Sequence, residues 1–288
     1  METTLQPRDL ADALAARAEH PGVLPMAGGT DLMVELNFDR RRPERILDLT
    51  RVPELVDWHA DGEDVVIGAG VTYTRIVREM AEVLPGLAIA SRTVGSPQIR
   101  NRGTVGGNVA TSSPAGDALP PLVASGAIVE LESSRGTRSV PLDAFCTGPK
   151  RNLMEVDELI RAVRVPAARG PQQFAKVGPR NAMVIAVCSL AVSLDSRMRT
   201  VRAAIGSAAP TVLRAAEAEA FLEGVLDEGG HWEGRTPLPE SAAARFGELV
   251  GAAARPIDDV RGSAAYRRHA LSVLGRRTVT WCWEEYAA

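Results

Sequence analysis

The chain has 288 residues, with 33 basic against 36 acidic side chains and a formal net charge of −3. That balance provides no positive field for nucleic acid or anionic lipid, and the length exceeds the usual size of one core, which predicts two domains. Hydrophobic residues make up 45% of the chain but aromatic ones only 4%, so alanine, valine and leucine must do the packing.

In chain order, Leu10, Ala13, Leu14 and Arg17 recur at helical spacing in "LADALAARAEHPG", and Pro21–Gly22 stops that helix. "GVLPMAGGTDLMVEL" predicts a short buried strand, a glycine turn and a second helix. Asp64–Ala69 predicts a strand, followed by a helix started by Thr72 or Thr74, and Leu87–Thr93 a further helix. "RGTVGGNVATSSPAGD" (Arg102–Asp117) reads as a flexible, hydroxyl-rich loop. "GDALPPLVAS" then predicts a short helix, "AIVELESSRGTRSVPL" a hairpin with Arg135–Gly136 at its turn, and "DELIRAVRVP" a strand ended by Pro166.

Pro166–Gln173, rich in proline, glycine and small residues, is the best boundary, dividing residues 1–168 from 172–288. Beyond it, "QFAKVGPR" and "AVCSLAVSLDSRMRTVRAAIGSAAP" predict strands around a turn near Ser196. Alanine-rich helices follow at Leu213–Leu222, Ser241–Ala254 and Ser263–Trp283, with "DEGGHWEGRTPLP" as a loop. Trp232, Trp281 and Trp283 read as core or interface.

No run of about 18 apolar residues exists to span a membrane. The acid-bearing "METTLQPRDLADAL" has no apolar signal region, which predicts a cytoplasmic protein. Cys146, Cys188 and Cys282 are scattered, offering neither a disulfide framework nor the clustered thiolates of an iron–sulfur centre. His20, His59, His231 and His269 lack metal-ligand spacing, so no metal site is expected on this chain. The arginine runs Arg40–Arg42, Arg267–Arg268 and Arg276–Arg277 read as solvated surface or a subunit rim.

Two glycine motifs stand out: "AGGTDL" at Ala27–Leu32 and "TVGGN" at Thr104–Asn108. Paired glycines permit positive φ and close backbone approach to a ligand. Their N–H groups can converge on phosphate oxygens, helped by a following helix start. The plain alternative for either motif alone is an ordinary strand–turn connection. "GAGVTY" at Gly68–Tyr73 lacks the third glycine of a dinucleotide fingerprint, and no G-x-x-x-x-G-K-[ST] run exists, which weakens Rossmann and nucleoside-triphosphate readings.

The pair of motifs resembles the flavin-binding subunit of the molybdenum hydroxylases, the group of xanthine dehydrogenase and carbon monoxide dehydrogenase. "DELIRAVRVP", "FAKVGPR", "AIGSAAPTVLRAAEAEAFL" and "PIDDVRGSAAYRRHAL" extend the likeness, in the family's order, over nearly the whole chain. "DDVRGSAAYRR" leans towards the xanthine dehydrogenase branch. The resemblance implies an α+β fold: a two-subdomain, PCMH-type FAD-binding domain followed by a smaller α+β domain like that of carbon monoxide dehydrogenase flavoproteins.

It also implies an FAD on this chain. Met26, Ala27, Gly28, Gly29, Thr30, Asp31 and Leu32 would wrap the pyrophosphate from one side, with Thr104, Val105, Gly106, Gly107 and Asn108 closing it from the other. Asp117 would hydrogen-bond the ribose–ribityl part, Val94 and Ile160 would line the isoalloxazine ring, and Lys176 would come near the flavin. Each has a plainer reading. Asp31 and Asp117 sit where a helix-start acid is routine, Val94 and Ile160 suit any core, and Lys176 suits a solvated strand.

The implied role is electron transfer. A large molybdopterin-binding partner would oxidise the substrate, a purine such as xanthine or hypoxanthine. A small partner would carry [2Fe–2S] clusters, and the FAD would pass electrons to NAD⁺ or another acceptor. No catalytic acid, base or nucleophile is assigned here, and no nucleic-acid or membrane partner. The rival expectations are a self-sufficient flavin oxidoreductase and a flavin-free scaffold subunit.

Overall fold

The computed structural model describes residues 3–288. Strands Thr3–Leu5, Arg45–Asp48 and Leu24–Met26 form a small parallel sheet in that spatial order. A second, antiparallel sheet orders Trp58–Asp61, Asp64–Gly68, Leu159–Pro166, Ile128–Ser133 and Gly136–Pro141. Its outer hairpin, Ile128–Ser133 with Gly136–Pro141, matches the sequence reading, and Leu159–Pro166 at the centre is the strand ended by Pro166. A third sheet runs Gln172–Val177, Cys188–Asp195, Thr200–Gly206 and Leu213–Arg214, all antiparallel.

Local chemistry sets the helix starts. Asp9 accepts from the Asp12 N–H to open Leu10–Glu19. Thr72 caps Tyr73–Glu79, Ser96 caps Pro97–Arg102, and Ser263 caps the long helix Ala264–Ala287. Each side-chain oxygen satisfies one orphan donor of a first turn, an exchange worth about 1 kcal/mol.

The third sheet is covered on both faces. Helices Pro85–Arg92 and Leu119–Ala124 pack on one, and Ala216–Glu228 and Ala264–Ala287 on the other, with Glu240–Ala253 behind them. Buried Gln172 fastens the first contact: its amide oxygen accepts from the Gly86 N–H at 3.2 Å and its amide nitrogen donates to the Ser125 hydroxyl at 3.2 Å. One core gathers around the second sheet and the early helices, the other around the third sheet and the C-terminal helices.

Several expectations need correction. Arg102–Asp117 is not a loop throughout, because Val105–Thr111 is helical and Thr104 caps it. Leu24–Met26 is only half-buried, and Leu32–Asn37 buries no residue, since both line an open cleft. Leu213–Arg214 is an edge strand paired with Ala204 and Ile205, so the helix begins at Ala216. Within "DEGGHWEGRTPLP" a short helix, His231–Gly234, forms where buried Trp232 anchors the chain. Arg267 is buried, not solvated. It donates to the Ser207 carbonyl at 2.7 Å and to Asp259 at 2.5 Å, closing the "DDVRGSAAYRR" segment onto the third sheet.

Candidate functional site

A cavity of about 840 Å³ opens between the Ala27–Leu32 turn and the helix Val105–Thr111. A smaller apolar chamber of about 210 Å³ adjoins it, sharing Ala27, Gly28, Thr104 and Gly107 as walls. The combined space is in the range of cofactor pockets.

The first glycine motif forms one lip. Gly29 takes a φ of +75°, a region that disfavours other side chains. A Cβ on Gly28 would overlap the Arg102 carbonyl, so only glycine lets this turn press against the segment leading into the second motif. Among the described residues, no main-chain carbonyl accepts from the N–H groups of Ala27, Gly28, Gly29, Thr30 or Asp31. A run of free N–H groups in a tight turn is a concavity for an anion.

The second motif has different chemistry from that expected. Neither Gly106 nor Gly107 has a positive φ. The Val105 N–H donates to the Val71 carbonyl at 3.0 Å and the Gly106 N–H to the Ala69 carbonyl at 2.9 Å. Thr104 Oγ1 takes the Gly107 N–H at 3.0 Å. These donors are therefore spent inside the protein. Gly106 is small because Ala69 lies against it: a Cβ there would come within 2.7 Å of the Ala69 main chain. Of the second motif's N–H groups only that of Thr104 is left without an acceptor among the described residues, so most of the free N–H groups lie on the first motif.

Side chains tie the lips together. The single hydroxyl hydrogen of Thr111 is shared between the Gly107 carbonyl at 2.8 Å and Asp31 Oδ2 at 3.2 Å, the latter 80 residues away. Lys150 pairs with Glu35, and Arg41 approaches Glu35 at 3.6 Å. The Lys150 hydrogen bond holds the Glu35 carboxyl below its usual range. Asp31 makes no capping bond at Leu32–Asn37, and Ala118 occupies the cap position before Leu119–Ala124. Both acids therefore do something other than cap. Asp117 is buried, with Oδ2 bound to Lys176 at 2.7 Å and Oδ1 without a partner. Burial pushes its carboxyl above the usual range, and Lys176 pulls it back.

Met26, Ala27, Gly28, Gly29, Thr30, Asp31, Leu32, Val94, Thr104, Gly107, Asn108 and Asp117 all line the main cavity. Gly106 and Ile160 line the adjoining chamber, so Val94 and Ile160 fall on different spaces. The Val105 side chain points into the core. Lys176 stands behind Asp117, off the cavity wall, and is bonded, not solvated. Tyr73 and Arg17 also line the cavity, and sequence reading passes over both because each fits a helical pattern. Among the described residues, no group of three or more His, Cys, Asp or Glu side chains is placed to hold a metal. No described helix is long and apolar enough to cross a membrane.

Residues 1–168 match the family of the FAD binding domain in molybdopterin dehydrogenase, and residues 173–282 match the CO dehydrogenase flavoprotein C-terminal domain. The chain belongs to the FAD-binding subunits of the molybdenum hydroxylases. It is 30% identical to the xanthine dehydrogenase FAD-binding subunit of Escherichia coli O157:H7, over 94% of this chain and 92% of that one. It is 31% identical to the carbon monoxide dehydrogenase medium chain of Hydrogenophaga pseudoflava, over 91% and 90%. A solved structure of carbon monoxide dehydrogenase from H. pseudoflava, lacking the Mo-pyranopterin moiety of its molybdenum cofactor, superposes with a TM-score of 0.89 at 29% identity, covering 99% of this chain and 98% of that one.

This molybdenum hydroxylase subunit is thus an oxidoreductase component with FAD as its cofactor. The two branches match it to the same degree, so the leaning to xanthine dehydrogenase rests on "DDVRGSAAYRR" alone. The cavity suits the cofactor chemically. Free N–H groups on one wall match a diphosphate, and unpartnered buried oxygens of Asp117 and Asn108 on another match hydroxyl groups.

Proposed function

We propose that this subunit carries electrons within a molybdenum hydroxylase whose large partner oxidises a purine of the xanthine or hypoxanthine type. A small partner would hold [2Fe–2S] clusters, and electrons would leave through this chain to NAD⁺ or another acceptor. The observation that carries the reading is the Ala27–Asp31 turn, whose N–H groups are free and whose residues line one cavity together with Asp117. FAD, when bound, would supply the redox chemistry that links one-electron clusters to the final acceptor.

The protein's own residues bind and orient. The turn from Met26 to Leu32 would hold the diphosphate, with Thr104, Gly107 and Asn108 closing over it. Val105 and Gly106 would act through the backbone, fixing the helix against Ala69 and Val71. Asp117 would take hydroxyl hydrogens. Val94 and Ile160 would exclude water from the ring, and Lys176 would set the charge and position of Asp117. No side chain here is assigned a proton transfer. The division into residues 1–168, which hold the cofactor, and 172–288, which close over Asp117 through Lys176, belongs to the same proposal.

Expression of the full chain alone and with candidate large and small partners tests this. Alone, it should be yellow, release FAD and oxidise no purine. With partners it should bring molybdenum and iron and reduce NAD⁺ with xanthine. Purine oxidation by the chain alone would favour a self-sufficient flavoenzyme. A colourless chain that binds no added FAD would favour a scaffold.

A further inference from the structure

Arg17 and Tyr73 are buried polar side chains on the cavity wall that the preceding account leaves unused. The Arg17 guanidinium already donates to the Val23 carbonyl, which leaves Tyr73 as the one whose side chain makes no hydrogen bond. Tyr73 is 3% exposed, and its hydroxyl has no partner among the described residues. The residue is fixed from both ends. Its N–H donates to the Gly103 carbonyl at 3.1 Å, and its ring lies so close to Gly103 that a Cβ there would meet it at 3.2 Å. Burial, with Asp117 and Asp31 nearby, holds the phenol well above its ordinary value, so it is a donor at every working pH. An unpartnered buried hydroxyl is costly, and phenylalanine would fill the same space without that cost.

The neighbouring orphans say what the hydroxyl meets. Asp117 and Asn108 line the same cavity, and the buried Oδ1 of each also lacks a partner. A phosphate oxygen could accept from Tyr73 but would repel Asp117. A hydroxylated chain satisfies all of these groups, because each of its hydroxyls both donates and accepts. We infer that Tyr73 is a cofactor-positioning residue, forming with Asp117 and Asn108 a site for the sugar or polyol hydroxyls of FAD. The inference rests on the reading that this cavity holds FAD. The cofactor offers two such segments, the ribityl chain and the adenosine ribose.

The test uses the full chain freed of flavin, as wild type, Tyr73→Phe, Gly29→Val and Asp117→Asn. Titration with FAD should show Tyr73→Phe weakened about tenfold, the scale of one hydrogen bond to a bound group. Parallel titrations with FMN and with ADP assign the segment: a loss for FMN identifies the ribityl chain, and a loss for ADP identifies the ribose. The thermal midpoint separates positioning from structure. Without FAD, Tyr73→Phe should melt at or above the wild-type temperature, whereas saturated with FAD it should melt below it. A change in FAD affinity under threefold, or an equal loss of midpoint with and without FAD, overturns the inference. If Gly29→Val and Asp117→Asn also bind FAD normally, the assignment of the cavity fails and takes the Tyr73 inference with it.

Discussion

Lys176 and Asp117 form a buried ion pair across 59 residues of sequence, ammonium to carboxylate at 2.7 Å, with side chains only 9% and 10% exposed. The lysine's remaining donors go to the carbonyls of Thr93 at 2.9 Å and Val184 at 3.2 Å. One side chain thus joins the third sheet to the cavity wall and to the segment after Gly178. Lys176→Met should lower stability by about 3 kcal/mol, because it strands a buried carboxyl. Asp117→Asn added to it should recover part of that loss in urea unfolding. The sign with pH follows from the raised Asp117 value, which rises further without its cation. The folded state then holds a proton that the unfolded state has released, so the deficit should shrink as pH falls towards the ordinary carboxylate range.

The two glycines of "TVGGN" should behave differently. Gly106→Ala places a methyl against the Ala69 main chain and should cost about 1–3 kcal/mol of folding stability. Gly107→Ala meets only Thr104 Oγ1, at 3.0 Å, and should cost less than about 1 kcal/mol. Thermal midpoints of the flavin-free variants check the order. Equal losses would show that the packing on Ala69 does not distinguish them.

Acid sensitivity should concentrate at Glu158. Its buried carboxylate accepts from Arg138 at 2.5 and 2.7 Å and from the Glu155 N–H at 2.6 Å. The Arg138 hydrogen bonds hold it below the usual carboxylate range. A depressed folded value means stability that is present above the unfolded value and lost as pH falls through the depressed one. Glu158→Gln should therefore cost about 1.5–3 kcal/mol near neutrality and flatten the decline on acidification. Urea midpoints between neutral and acidic pH would reveal both effects.

Trp283 should matter for folding and not for flavin. Its ring lies 5.4 Å from that of Trp232 and 5.1 Å from that of Tyr286, centroid to centroid, and its Nε1 donates to the Thr236 carbonyl at 2.8 Å. Trp283→Ala should cost about 3–5 kcal/mol while leaving FAD affinity within a factor of about two. A larger change in affinity would mean that the C-terminal helices reach the cofactor site.

Much of the fold is legible in the chain because it is local. Thr72 and Ser263 cap their helices through bonds to N–H groups three residues on, a relation that sequence spacing contains. Pro166 ends its strand for an equally local reason, and the hairpin turns at Ser134–Arg135, one residue before the expected Arg135–Gly136, with Gly136 already paired to Ser133. The Ala27–Leu32 turn is legible too, since Gly29 needs only its own backbone angle to mark it.

What depended on the tertiary structure is what two distant segments do to each other. Gly106 reads as a phosphate contact in sequence and becomes a packing contact once Ala69 lies against it. Arg267 reads as surface and becomes buried once Asp259 and the Ser207 carbonyl satisfy it. Tyr73 is invisible as a site residue until Asp117 and Asn108 share its cavity. The sequence determines caps, turns and periodicity, because their partners lie within a few residues. Whether a buried donor or charge is spent or free is set by partners tens of residues away, so the tertiary structure alone decides which groups remain for a ligand.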